Sequence, residues 1–431
     1  MYDDAINQVA KQRPGLARLL DTRGSESIKQ YLGSLGDKSN IHPLLLKTIL
    51  MTRSLKGAAI QKLPNLAHTA DHIGLLNHPF FWSAKAASQD NTILVLATSN
   101  VSPVNSSHPR GLSWHGRNLD EKRAHFIPLS WRRHAMYGVP ALTKIEVDTF
   151  IKKIPEKIRP SLQRVSEQDT FHECTWLSDQ ICLFNQELWA DTFGTSQALV
   201  YIELESIVNE LLIQLLDNDT STFSRLCSDS SLQKRYVGSF DSIPGAHTTS
   251  NQKGSQLFWL IDHSTRRRIP LKLSNGYLIT PTGNKISLAA TSLCKNLQNR
   301  TLMPTLALSY CILSAEFGLT LSGGFSQIDY LPKMINAWGK LFDAKTHTKA
   351  DVFAGELGLV SLSNKKEHVL ATFIDLLLYT DNIEQRLALV ERASGASLQQ
   401  GLSAISDELL QIIDPKAKTI KPGPAGAILH V

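Results

Sequence analysis

A mixed α/β fold is what this sequence predicts: a Rossmann-like, mostly parallel sheet in the N-terminal part, followed by an α+β part with an antiparallel meander and C-terminal helices. Three observations predict it. The run Thr92-Ile93-Leu94-Val95-Leu96-Ala97 is short, β-rich and apolar throughout, as a strand covered on both faces must be, and it empties into the polar Thr98-Ser99-Asn100. Apolar residues recur at three- and four-residue spacing over 171–193 and over Leu204–Leu216, which predicts amphipathic helices beside that strand. Beyond residue 255, short strand-like runs alternate with turn residues.

Taken in order, Asp3 and Asp4 open a helix carrying Ile6, Val9 and Ala10, Ser25 or Ser27 starts a second, and a third follows Pro43 over 44–55. Residues 199–202 read as a strand between the two amphipathic helices. Near residue 229 Ser, Asp, Gly and Thr thicken into an expected loop that includes Pro244-Gly245, and this is the expected domain boundary. The division is then 1–230 as an α/β domain, 231–415 as an α+β domain, and 416–431 as a flexible basic tail. In the second domain the runs 256–261, 267–273, 277–280 and 285–288, with Asn275-Gly276 between two of them, predict the meander. The apolar stretch 302–321 is expected to be buried, with helices over 327–342, 365–379, 382–394 and 398–413.

With 431 residues the chain exceeds what one core normally supports, so two domains are the expectation. Its composition, 42% hydrophobic and 19% charged, is that of a folding chain and excludes a disordered one. The net charge of +6 is mild: it suits anionic ligands and weighs against nucleic acid as the partner. No apolar run reaches eighteen residues and the first thirty carry no apolar core, so neither a membrane span nor a secretory signal is expected. Five widely spaced cysteines fit no disulfide framework and no CxxC zinc site, and suit the cytoplasm.

Eight of the fourteen histidines fall between residues 42 and 134. The densest part is His68-Thr69-Ala70-Asp71-His72-Ile73-Gly74-Leu75-Leu76-Asn77-His78-Pro79. On one helical turn His68 and His72 would share a face, with Asp71 to orient a ring, which makes a metal-dependent enzyme the first alternative; the quick breaks at Gly74 and Pro79 and the absence of HExxH weigh against it. His78-Pro79 also reads as a plain helix start, with Pro at the first position. The second cluster, Asn100, Asn105, Ser106, Ser107, His108, Arg110, His115, Arg117 and Asn118, is read as a donor-rich loop able to take up a carboxylate or phosphate, or as a surface loop satisfying its own backbone. The conjunction of two polar clusters around one buried strand favours a site.

Gly323-Gly324 before Gln327 forms a third candidate, able to turn backbone N–H groups toward a ligand, although a plain turn is the simpler reading. Neither GxGxxG nor GxxxxGK[ST] is present, so no nucleotide cofactor is assigned. Arg266, Arg267 and Arg268 sit in the expected hairpin as a charged edge, and one of them could reach the first site if the hairpin folds over it. Together with the basic tail they support the second alternative, a non-enzymatic nucleic-acid-binding or assembly protein. The carboxylates Glu203, Glu205 and Glu210 could serve as acid/base groups, but the wet face of an amphipathic helix is the simpler reading.

The stretch His72-Ile73-Gly74-Leu75-Leu76-Asn77-His78-Pro79, followed by a helix and a buried strand, resembles the Gly-Leu-containing loop of the bacillithiol-type cysteine-adding enzymes. That resemblance covers these eight residues and carries over no activity.

The expected function is that of a cytoplasmic enzyme on a small polar or anionic metabolite, a transferase or ligase rather than a hydrolase. His72, His78 and His108 would move protons, and Asn77, Asn100, Asn105, Arg110, His115, Arg117, Gly323, Gly324 and Gln327 would bind the substrate.

Overall fold

The structure is a computed structural model that describes residues 2–35, 40–52, 63–88, 90–100, 111–195, 197–343, 356–364, 367–416 and 424–431. Its centre is a four-stranded parallel sheet in the spatial order Thr320–Ser322, Leu66–His68, Thr92–Ala97, Ala198–Glu203. Side chains alternate across a strand, and here both faces are covered. Ile93, Val95, Ala97 and Tyr201 enter one apolar core, whereas Leu94, Leu96, Val200 and Ile202 enter the other. The uniformly apolar run at 92–97 thus follows from its place between two cores.

The first core is closed by helix Leu177–Phe193, by helix Tyr2–Gln12 and by the C-terminal helices from Phe373 onward. Within it the Trp189 indole stacks on Phe373 at 5.9 Å. The second is closed by helices Pro43–Leu50, Leu204–Leu216 and Gln327–Phe342 and by the inner side of the antiparallel strands. Of the four runs expected to form one meander, the structure makes two sheets, and the meander itself is Lys272–Ser274, Tyr277–Ile279 and Lys285–Ser287 in antiparallel register. Its first turn puts Asn275 and Gly276 at φ of 48° and 80°, the left-handed pair that suits a right-twisted hairpin. A second antiparallel sheet pairs Phe258–Asp262 with Arg267–Pro270 and Leu302–Pro304.

Several elements differ from expectation, each for a local reason. The Ser- and Asp-rich stretch near 229 is the start of helix Ser230–Phe240, because Asp229 accepts hydrogen bonds from the Ser231 and Leu232 amides at 2.7 and 3.2 Å. The donor-rich segment after Asn100 is not all loop: Gly111–His115 and Glu121–His125 pair as an antiparallel hairpin. The helix expected over 365–379 begins at Phe373, and His368–Leu370 is a strand. The end of the chain, expected to be a loose tail, includes strand Ala427–His430, parallel to Val360–Ser363, with Ala427 in the core.

The loop 69–78 is held in place from below. Asn185, fully buried on helix Leu177–Phe193, accepts the Leu76 amide at 2.6 Å and donates to the Gly74 carbonyl at 2.9 Å. The Tyr201 hydroxyl donates to the carbonyls of His72 and Gly74. Asn185→Ala strands a buried amide and a buried carbonyl and is expected to cost about 2–4 kcal/mol, read from chemical denaturation.

Candidate functional site

All four strands of a parallel sheet end on one edge, and open α/β sheets place ligands outside those ends. Here the edge collects His68 and Thr69, Thr98 to Asn100, Glu203 to Glu205, and Ser322 to Gly324. Glu205 is its hub. Its carboxylate accepts the Thr98 hydroxyl at 2.6 Å, the Asn100 side-chain amide at 2.9 Å and the Ser99 backbone amide at 2.8 Å. Burial first, and the neighbouring Glu203 second, raise this carboxyl to about 7, against the pull of those three donors. Glu203 accepts from the Ser99 and Ser206 hydroxyls and pairs with Arg300 at 2.8 Å. Both glutamates are buried, not the wet face expected from helical spacing. Glu203 ends the strand, and Glu205 lies in the first turn of the helix that follows.

Beside this hub lies a second buried group. Lys85 Nζ stands 2.7 Å from Asp71 Oδ2 with both side chains excluded from solvent, and it also donates to the Phe81 carbonyl. Burial pushes the Asp71 carboxyl up and the Lys85 ammonium down, while their mutual attraction opposes both shifts. His68 is driven down to about 3 by burial and then by Lys85, so it is neutral at physiological pH. His68 Nδ1, Asp71 Oδ1 and Ser322 Oγ are buried and lack hydrogen-bond partners among the described residues. His68 and Ser322 are register partners on adjacent strands.

The glycine pair closes this side. A Cβ on Gly323 would overlap the Gln327 side chain, and one on Gly324 would overlap Glu356. Gln327 exchanges two 2.9 Å hydrogen bonds with Thr69, and the Phe325 amide donates to Glu356 at 2.9 Å. The turn therefore holds a carboxylate of the chain itself.

Beyond the edge, loop 69–78 meets the hairpin through Asn77 and Ser113, and helix Ser406–Ile413 through His78 and Glu408. His78 caps helix Pro79–Ala86, its Nδ1 accepting the Phe80 amide at 3.5 Å, as the simpler reading of His78-Pro79 expected. Its Nε2 faces Glu408 at 3.7 Å. Burial lowers His78 to about 4; Glu121 pulls it up, and His72 adds to the lowering, so all three lie within electrostatic reach. Glu408 keeps half its surface open, and burial of the rest, then Asp407 and Glu121, raise its carboxyl to about 7. On the hairpin, His115 Nδ1 contacts Asp375 at 2.7 Å, and Asn77 donates to Ser113 at 2.7 Å.

The structure therefore brings His72, His78, Asn77 and His115 into one cluster around Glu121 and Ser113, and sets Asn100, Gly323, Gly324 and Gln327 along the same sheet edge. Arg117 is exposed near the hairpin turn. Asn105, His108 and Arg110 lie outside the described residues. His68 and His72 do not share a helical turn: His68 ends a strand, and His72 forms a parallel bridge with Thr98, because strand pairing and the Asn185 clamp take the backbone that a helix would need. Among the described residues no group of three or more His, Cys, Asp or Glu side chains is disposed to hold a metal ion. The three arginines do not form one patch. Arg266 stacks over Trp131 at 5.1 Å and Arg267 is exposed, whereas Arg268 stacks over Trp259 at 4.9 Å and donates to the Asn100 carbonyl, so the hairpin does fold onto the strand end.

Sequence reasoning missed Lys85 and Glu408, and it set Glu203 and Glu205 on a wet face where the structure buries them. Glu203 carried a usable signal, since a charged residue closing the apolar run 199–202 marks a strand end. Lys85 and Glu408 carried none, because their partners lie far away along the chain.

No family model matches the chain, and no curated protein matches it.

A buried base held below its unfolded value contributes stability that is complete above that value and is lost as the pH falls toward the folded one. For His68 that window runs from about 6.5 down to about 3. His68→Phe is expected to shrink the stability difference between pH 7 and pH 5 by about 2 kcal/mol, measured by denaturation at both values.

Proposed function

We propose that the protein is an enzyme acting on a small polar or anionic metabolite by histidine-assisted acid–base chemistry, in a Rossmann-like setting at the carboxyl edge of its parallel sheet. The observation that carries this reading is the His78–Glu408 pair. Because Nδ1 accepts the Phe80 amide, neutral His78 bears its proton on Nε2, the atom facing Glu408. A carboxyl near 7 beside a neutral imidazole, both partly open to solvent, is a couple matched to proton transfer at neutral pH. His72 adjoins it, and Arg117 offers a cation toward an acidic group. His108 and Arg110 remain candidates for the same roles.

Transfer or ligation fits better than thiol-based hydrolysis. Burial pushes the Cys182 and Cys311 thiols up, and Cys227 up to about 12, which suppresses the thiolate each would need as a nucleophile. All five cysteines are free, in keeping with a cytoplasmic setting. No described helix is long and apolar enough to cross a membrane.

The test is a ligand-detected NMR screen of small carboxylates, phosphates and amino acids, followed by turnover assays on the hits. His78→Gln and Glu408→Gln are each expected to lower turnover about a hundredfold or more while the melting temperature moves little. Unchanged turnover in both variants would overturn the assignment.

A further inference from the structure

No Asp or Glu lies between Glu121 and Glu146 or between Asp262 and Glu316, whereas the first of these stretches holds five Lys or Arg and the second seven. The fold joins the two. The Ala135 amide donates to the Arg266 carbonyl at 2.8 Å, and Ala135 and Tyr137 pack with Ile261 and Met303 in a small apolar cluster of their own. The short helical turn Leu129–Arg133 is thereby set against the end of the hairpin that pairs Phe258–Asp262 with Arg267–Pro270.

Two arginines and a histidine gather there around one indole. Trp131 packs against the first core, and the Arg266 guanidinium carbon lies 5.1 Å from the centroid of its ring. The His134 ring stands 5.9 Å from the same indole. Burial first, then Arg266 and Arg267, lower the His134 imidazole from its ordinary value, so both guanidinium groups lie within its electrostatic reach. Arg267 is exposed, and neither arginine pairs with a carboxylate among the described residues. Asp262, the acid of this turn, is occupied: it accepts from the Ser264 and Thr265 hydroxyls at 2.6 Å each. His263, on the same turn, lies beside Gly138.

We propose that Trp131, His134, Arg266 and Arg267 form a site for the phosphate group of a small phosphomonoester. A guanidinium stacked on an indole is held by its face and keeps its N–H edge free, and that fork matches two phosphate oxygens at once. A phosphomonoester brings close to two negative charges, where a carboxylate brings one, to meet two guanidinium groups. Its arrival also offsets the repulsion that holds a proton off His134, and the imidazole then becomes a further donor. The site shares no residue with the His78–Glu408 pair and stands whether or not that pair is catalytic.

The full-length protein is titrated at physiological salt with phenyl phosphate, acetate and an oligothymidylate, by calorimetry and by the histidine ring signals in NMR, with His134→Gln to identify the signal of interest. Phenyl phosphate is expected to bind with millimolar or better affinity and acetate about tenfold more weakly or worse, and phosphate binding is expected to raise the titration midpoint of His134. Arg266→Lys, which keeps the charge and loses the planar fork, and Arg267→Ala, at an exposed position, are each expected to weaken phenyl phosphate about tenfold. No binding of phenyl phosphate, equal binding of acetate, an unmoved His134 midpoint, or full affinity in either variant would overturn the proposal. Far tighter binding of the oligothymidylate that falls steeply with added salt would also overturn it, by assigning the surface to nucleic acid.

Discussion

The buried Glu205 carboxylate is the interaction on which the rest of this edge depends. A parallel sheet leaves the ends of its strands to be tied by whatever follows them, and here one side chain gathers three donors from the end of the neighbouring strand. Taking a carboxylate from water is expensive unless its oxygens are bonded. The Thr98-Ser99-Asn100 turn is therefore locked to helix Leu204–Leu216, and Asn100 carries the lock further, donating to the Pro304 carbonyl and accepting from Arg268. Glu203, one residue before that helix, does the same for Ser99, Ser206 and Arg300.

This rigid floor contrasts with what sits on it. Asp71 and Lys85 are sealed from water, and burial drives both toward their neutral forms, so their role is bounded by the cost of separating them. The cluster beyond it is more open. His72 and His78 are only partly buried there, and Glu408 approaches from a helix more than three hundred residues away along the chain. The inner layer fixes the backbone, and the outer one presents His78 and Glu408, whose proton affinities burial has shifted.

How much was legible in the sequence follows the range of the forces involved. Thr92–Ala97, Leu204–Leu216 and Gln327–Phe342 were legible because their apolar periodicity is local and strong. Strands Leu66–His68 and Thr320–Ser322 are three residues long, too short for any period to show, and exist only because each pairs with a distant partner. The hairpin 111–125 was hidden by its polar surface, since past Gly111 only Leu112, Ser113, Leu119 and Ala124 are buried. Of the candidate site, the clustering of His72, Asn77 and His78 was visible, whereas Glu121 and Glu408, which lie within reach of His78, were not.

By itself the sequence determined which segments are apolar enough to be buried, and that histidines and amides crowd the stretch around one strand, because those properties depend on neighbours a few residues apart. Only the tertiary structure decided that Glu203 and Glu205 face inward, that Lys85 meets Asp71, and that Glu408 meets His78. Each of those outcomes is a meeting of charges in a low-dielectric interior, and which charges meet there is set by the order of strands and the packing of helices.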